Sequence, residues 1–318
     1  MPAPRFVPLR VHSESSVSDS IVRIDARVDA ARAAGQGALA LTDSANTFGW
    51  VKFYRAARGK GIKPILGVDA WITNDADRDR PHRALLLVRD RTGYLNLCEL
   101  LSRAWLENEW RGRGEIRREW VASLPHGPAG HHGLIALSGA QGGDVGTALL
   151  AGNVESAEAC AREWSRLFPD ASYVELQRSG HAEAEPQVRA AAALAARLGL
   201  PVVATHPVQF LRRDEYRAHE ARVCIADGEM LANPRRVRRF TEEQWFRGQA
   251  DMAELFADLP EALANSVEIA RRCSLTMELG KSRLPDFPTP DGLSIDDYLR
   301  RLAAEGLELR LAKLFPDA

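Results

Sequence analysis

The sequence predicts an α/β chain folded as a (β/α) barrel and followed by helical segments, and three observations carry that expectation. Short apolar runs at 6–11, 38–41, 62–66, 84–88, 134–137, 173–176 and 202–204 alternate with amphipathic or alanine-rich stretches. The residues that end those runs are nearly all polar or ionisable: His12, Thr42 and Asp43, Asp69, Ser138, Gln177 and Arg178, Thr205 and His206. Beyond about residue 210 the strand pattern stops. Alternating strand and helix signals point to parallel strands with helices outside, as a closed barrel or an open doubly wound sheet. A barrel gathers the carboxyl ends of all its strands on one face, whereas an open sheet gathers them only at a switch point. Polar residues at nearly every strand end favour the barrel.

Each element has its own signal. Helical patterns at 26–34 and 48–58 are closed by Gly35 and by Gly59 and Gly61; those at 153–168 and 185–198 follow, the second closed by Gly199. Glycine just past the last periodic residue is the expected stop. After residue 210, helices are expected over 214–225, 241–247, 251–257 and 260–272. Thr241 with Gln244 three residues on resembles a capping box. The stretch 284–292 holds three prolines and reads as a linker. One more amphipathic helix, 295–314, has no evident core of its own and is expected to open a further domain.

The 318 residues are 45% hydrophobic and 27% charged, a soluble globular composition. Forty-two basic against 43 acidic residues leave a net charge of −1, so no global field attracts nucleic acid. Cys98, Cys160, Cys224 and Cys273 form no C-x-x-C pair, which argues against a zinc ribbon or a redox motif and for reduced thiols. No signal-peptide core or membrane-length run is present, and a cytoplasmic location is expected.

His12, Asp19, Asp43, Asp69 and His82 are residue types that could ligate a metal from strand ends. The first run, however, ends Arg10-Val11-His12, where a metal-dependent barrel hydrolase would place a His-x-His pair on one strand face. Arginine is a permanent cation and no ligand. His206 precedes a proline and reads as an isolated exposed side chain, and His126, His131 and His132 read as loop surface. The glycine-rich 138–146 lacks a phosphate-loop lysine and reads as a tight turn. Arg235, Arg236, Arg238 and Arg239 form the strongest basic cluster, with Arg111, Arg113, Arg117 and Arg118 a second. Either could touch phosphates, and neighbouring glutamates fit solvated surface equally. No nucleophile motif appears, and no catalytic residue is assigned.

Several segments together resemble one family. Phe6-Val-Pro-Leu-Arg-Val-His-Ser13, Ala38-Leu-Ala-Leu-Thr-Asp43, Phe48-Gly-Trp-Val-Lys-Phe-Tyr54 and Gly61-Ile-Lys-Pro-Ile-Leu-Gly67 are similar to successive segments of it. So are Thr92-Gly-Tyr-Leu-Asn-Leu97, Gly143-Asp-Val-Gly146 and Leu255-Phe-Ala-Asp-Leu-Pro-Glu-Ala-Leu-Ala-Asn265. The family is the N-terminal PHP (polymerase and histidinol phosphatase) region of bacterial DNA polymerase III alpha subunits, proteobacterial type.

The resemblance implies a distorted seven-stranded barrel, with a PHP domain over 1–275 (barrel about 5–210, helices about 211–275). A linker and the first helix of a polymerase palm would occupy 276–318. In metal-binding relatives, ligands stand at positions matching Arg10, His12, Asp19, Ser44, Asp69, His82, Ser179, Pro207 and Gln209. Only His12, Asp19, Asp69 and His82 remain ligand types here. The resemblance therefore implies a catalytically inactive scaffold with no cofactor of its own, magnesium belonging to the full-length polymerase. The partner it implies is the proofreading exonuclease (epsilon) subunit. The rest of the core, the sliding clamp and DNA would be reached through other domains, and no membrane is involved. A residual metal-dependent phosphoesterase or 3′–5′ exonuclease, and a nucleic-acid-binding module built on the 235–239 arginines, remain as alternatives.

Overall fold

The structure, a computed structural model, describes residues 6–281 and 287–316, so part of the expected linker, 284–286, lies outside the described residues. Two compact units divide between Thr276 and Met277.

Among the described residues the first unit holds eight strands: β1 (Ala38–Leu41), β2 (Lys63–Ile72), β3 (His82–Val88), β4 (Glu109–Trp110), β5 (Arg113–Ile116), β6 (Leu134–Leu137), β7 (Ser172–Gln177) and β8 (Val202–Thr205). They pair in the order β4-β5-β2-β3-β6-β7-β8, with β1 also on β2. The segment 6–12 closes the ring. Its Pro8 and Val11 carbonyls accept from Ala40 and Thr42 at 3.0 and 2.9 Å, and its other edge meets Val208 just beyond β8, where His12 N–H donates to the Val208 carbonyl at 3.2 Å. Segment 6–12, β1, β2, β3, β6, β7 and β8 are thus the staves of a distorted seven-stranded barrel.

Segment 6–12 makes only an isolated bridge at Val11 instead of the full strand expected there. Pro8 has no N–H to give to a ladder. The neighbouring N–H groups donate to side chains instead: Phe6 to Gln249 Oε1, Val7 to Ser266 Oγ and Val11 to Thr42 Oγ1.

The strands are not all parallel, as the alternation suggested: β3 runs antiparallel to both β2 and β6. A parallel crossover needs a dozen or more residues. The connection 73–81 is too short for one, so the chain turns back. The β4–β5 hairpin had no sequence prediction; Arg111 and Gly112, at φ 50° and 77°, give the turn that suits two twisted strands.

Helices α1 (Ile24–Ala33), α2 (Trp50–Gly59), α3 (Arg91–Glu107), α4 (Arg118–Ala122), α5 (Asp144–Leu150), α6 (Val154–Leu167) and α7 (Ala184–Leu198) lie between the strands in sequence. After β8 come α8 (Tyr216–Asp227), α9 (Gln249–Leu255) and α10 (Pro260–Arg272). The last two belong to the barrel's own core: Met252, Phe256, Ala262 and Leu263 are buried with Val174, Leu176 and Ala204. Asn265 fastens α10 to β8 by donating to the Val202 carbonyl at 2.7 Å.

The helix expected over 241–247 does not form. Gln244 Oε1 does accept from Thr241 N–H at 2.9 Å, as a cap would. Yet the Gln244 carbonyl accepts from Gln209 N–H and Phe246 N–H donates to the Phe210 carbonyl, so those backbone groups belong to a bridge and not to a helix.

The second unit contains α11 (Ile295–Leu314), none of whose residues is buried. Among the described residues, no helix is long and apolar enough to cross a membrane.

Candidate functional site

The carboxyl ends of the parallel staves, with the amino end of the antiparallel β3, open into a cavity of about 1310 Å³. Seven of the nine positions singled out as ligand positions line it: Arg10, His12, Asp19, Ser44, Asp69, Pro207 and Gln209. His82 and Ser179 do not. The β2–β3 register explains the first: Trp71 pairs with Arg83 and Ile72 with His82. Paired residues share a face and neighbours along a strand alternate. Arg83 therefore lies on the face of Trp71 and Asp69, while His82 is on the other. Ser179 is buried, with its backbone carbonyl bound to Thr241 Oγ1.

Asp69 is the hub. It accepts from Arg10 Nη1, from Arg83 Nε at 3.0 Å and from His12 Nε2 at 3.0 Å. Arg10 also grips Glu175 with both ends of its fork, Nε at 2.8 Å and Nη2 at 2.9 Å. His12 Nδ1 faces Asp19 Oδ2 at 3.1 Å. Glu175 is further held by Gln177 Nε2 at 2.9 Å, by Gly139 N–H at 3.0 Å and by Thr205 Oγ1. Gly139 is at φ +78°, and a Cβ there would press on the Arg83 carbonyl at 2.1 Å, so glycine is required for that approach.

Burial disfavours charge on Arg10, His12, Asp19 and Asp69, and their pairing reverses it. Asp69 is held well below the usual carboxylate range by Arg10 and Arg83, and Asp19 is lowered by His12. Burial works against the His12 imidazolium, but Asp19 and Asp69 outweigh it and raise it to about 9. The Arg10 guanidinium is raised by Asp69 and Glu175. Arg10, Arg83 and His12 therefore face Asp19, Asp69 and Glu175.

These residues do not fit a multinuclear metal centre. Ligation needs an imidazole lone pair and free carboxylate oxygens. Both His12 nitrogens point at carboxylates, and Asp69 is already shared among two guanidiniums and an imidazole. No three His, Cys, Asp or Glu side chains among the described residues converge on a point that could hold an ion.

Other candidates fall apart or change character. Asp43 lies beneath the site, accepting from Ser13 N–H at 2.6 Å and Ser16 Oγ at 2.7 Å. His206, read from sequence as exposed, is buried; burial and the nearby Arg247 push its imidazole down to about 3. His132 is buried too, facing the Leu167 carbonyl at 3.0 Å. In the basic cluster Arg236 is paired with Glu220, and Arg239 grips Asp227 with 2.7 Å contacts to both oxygens. Arg235 and Arg238 are exposed. In the second cluster Arg111 pairs with Asp79, Arg117 with Asp75 and Arg118 with Asp144.

Two central residues, Arg83 and Glu175, escaped the sequence reading. Glu175 left a faint signal: a lone carboxylate within an apolar strand must find a buried partner.

The chain is 47% identical over 99% of its length to the DNA polymerase III subunit alpha of Pseudomonas fluorescens, covering 26% of that protein. It is 49% identical over its whole length to that of Neisseria meningitidis serogroup A, covering 27%. The chain thus spans about a quarter of the length of the curated relatives it matches. A solved amidohydrolase from Chromobacterium violaceum superposes at a TM-score of 0.46 with 16% identity, over 68% of this chain and 96% of that one. The PHP domain model matches residues 8–179, more than half of the chain, from the closing segment through Glu175, and the chain belongs to the PHP domain family.

Proposed function

We propose that this chain is the N-terminal PHP region of a replicative DNA polymerase III alpha subunit. In that polymerase it serves as a non-catalytic scaffold that docks the proofreading exonuclease subunit, within a cytoplasmic replisome. One observation carries the non-catalytic part: Arg10 stands among the would-be ligands and neutralises Asp69 and Glu175. A guanidinium there supplies, permanently, positive charge that a metal centre would supply. Identity to polymerase subunits over the whole chain supports the replicative setting. What supports docking of the exonuclease is the hydrolytic site closed by Arg10, which would leave proofreading to another chain. In the whole polymerase, magnesium and the sliding clamp are matters for other domains.

Two measurements test the reading. The purified 318-residue chain, given manganese, zinc or ferrous ion, should release no nucleotide from a 3′-labelled single strand. Metal-dependent release abolished by His12→Ala would establish residual exonuclease activity in place of a scaffold. Calorimetric titration of the exonuclease subunit into the same chain should show saturable binding. Absence of heat at high micromolar concentration, with the complete alpha subunit binding normally, would move the docking surface elsewhere.

A further inference from the structure

One part of the molecule combines unmatched positive charge with exposed apolar bulk. Residues 216–239, helix α8 and the segment after it, carry six arginines against three carboxylates, in a chain whose net charge is −1. Two of the carboxylates are used to fold the segment back along α8: Glu220 pairs with Arg236, and Asp227 with Arg239 at 2.7 Å. Tyr216 Oη fastens the far end by donating to the Phe240 carbonyl at 3.1 Å, and the His219 ring meets the Phe240 ring edge-on at 4.8 Å. The third carboxylate, Glu229, accepts from Asn233 Nδ2 at 3.1 Å. Arg217, Arg235 and Arg238 are left exposed, with no carboxylate in contact among the described residues. The same segment presents Ile225, Met230 and Val237 at 83%, 72% and 80% exposure. A single exposed aliphatic side chain is ordinary, whereas several gathered in one folded-back segment mark an interaction surface.

Charge and side-chain type together narrow the partner. Potentials across an interface are complementary, so the free guanidiniums call for an anionic surface. A chain of phosphates would match them but leave the aliphatic side chains in water. Single-stranded nucleic acid is held by stacking on aromatic rings, and none of the exposed residues of 216–239 is aromatic. Helices that lie on a bilayer likewise use Trp and Phe at the headgroup boundary. A polypeptide that bears both carboxylates and aliphatic side chains answers both halves of the surface. We propose that α8 and the segment folded back on it dock an acidic, aliphatic peptide segment of a partner protein, its carboxylates on Arg235 and Arg238 and its aliphatic side chains on Ile225, Met230 and Val237. The planar fork of a guanidinium takes a carboxylate through two hydrogen bonds, which fixes register as well as attraction. The surface uses none of the residues around Asp69, so the inference holds whether or not the barrel site is catalytic.

The test is selection of displayed random peptides on the immobilised 318-residue chain. Enriched peptides should carry Asp or Glu together with Ile, Leu, Val or Met. A synthetic copy, followed by fluorescence anisotropy, should bind about tenfold more weakly to the double variant Arg235→Glu, Arg238→Glu and to Val237→Ser. These are exposed positions, and unchanged thermal midpoints verify folding. High salt should weaken the complex, because it screens exposed charges. A second peptide with lysine in place of each acidic residue should reverse the preference, binding the double variant better than the native chain. Failure to enrich any peptide, enrichment of neutral or basic ones, or binding indifferent to Arg235→Glu with Arg238→Glu would overturn the proposal. So would displacement of the peptide by a deoxythymidine oligonucleotide, which would assign the surface to nucleic acid. Displacement by vesicles of equal parts phosphatidylserine and phosphatidylcholine would assign it to a membrane and overturn the proposal equally.

Discussion

His12 and His206 end neighbouring staves of the barrel, one on the closing segment and the other just past β8, and both are buried. Their chemistry is opposite. His12 lies between Asp19 and Asp69 and is raised to about 9, whereas His206 is lowered to about 3. His206 Nε2 meets the Glu243 carbonyl at 2.8 Å, and Arg247 is the charge nearby. Burial penalises the imidazolium in both places. What differs is the company: two carboxylates in one case, a carbonyl and a guanidinium in the other. The barrel end thus holds a charged imidazole among carboxylates and a neutral imidazole beside it, and strand position alone does not say which is which.

The largest expected effect comes from the neutral member. Unfolded, His206 takes up a proton below about 6.5; folded, it does so only near 3. The unfolded state therefore binds more protons across that interval, so stability is fully present above 6.5 and falls as pH drops toward 3. At about 1.4 kcal/mol per pH unit the whole interval amounts to about 5 kcal/mol. Urea unfolding of the native chain and of His206→Gln at a series of pH values should show the native chain's margin over the variant shrinking as pH falls. A margin that stays constant with pH would mean His206 is not held neutral, and the contrast with His12 would collapse.

The charged member gives a smaller effect of opposite sign. Folded His12 keeps its proton up to about 9, while the unfolded chain loses it near 6.5. Here the native state binds more protons, so the contribution is complete below 6.5 and is lost as pH rises to about 9, about 3 kcal/mol in all. The difference in unfolding free energy between the native chain and His12→Gln should narrow over that alkaline range. If it does not, the two carboxylates do not hold a proton on His12, and the charge balance around Asp69 fails with it.

The frame of the barrel was legible in the sequence. The runs 38–41 and 134–137 are the strands β1 and β6, and 260–272 is the helix α10, because apolar periodicity and Pro260 at the first helical position mark their ends. What escaped depends on pairing between distant segments. His82 and Arg83 are adjacent, and only the register against Trp71 and Ile72 shows that the arginine shares the face of Asp69. A one-residue slip exchanges the two faces of a strand, and no property of the strand's own sequence fixes it. The lone carboxylate of Glu175 in an apolar strand does not name its partner until Arg10, 165 positions away, is brought beside it. The missing helix at 241–247 has the same origin, since residues 209 and 210 take its backbone hydrogen bonds.

The smallest effect belongs to an arginine that lacks what Arg10 has. Arg27, on α1, is 1% exposed, yet its three guanidinium nitrogens have no hydrogen-bond partner among the described residues. It stacks 4.9 Å from the Phe246 ring, and burial pushes it down to about 9, with only a distant pull from Asp43 in the other direction. It therefore remains charged at neutral pH, like Arg10, but without a carboxylate in contact. If neighbours decide whether a buried charge is tolerated, this one is a liability. Replacing buried charge by a well-packed apolar side chain is often neutral or stabilising, while the lost cation–π contact costs about 0.5–1 kcal/mol. Arg27→Met should accordingly raise the unfolding free energy by about 1 kcal/mol, read as a higher urea midpoint with an unchanged slope. Destabilisation by more than about 2 kcal/mol, the scale of a broken buried pair, would show that Arg27 has a partner after all. The contrast between paired and unpaired charge would then need another basis.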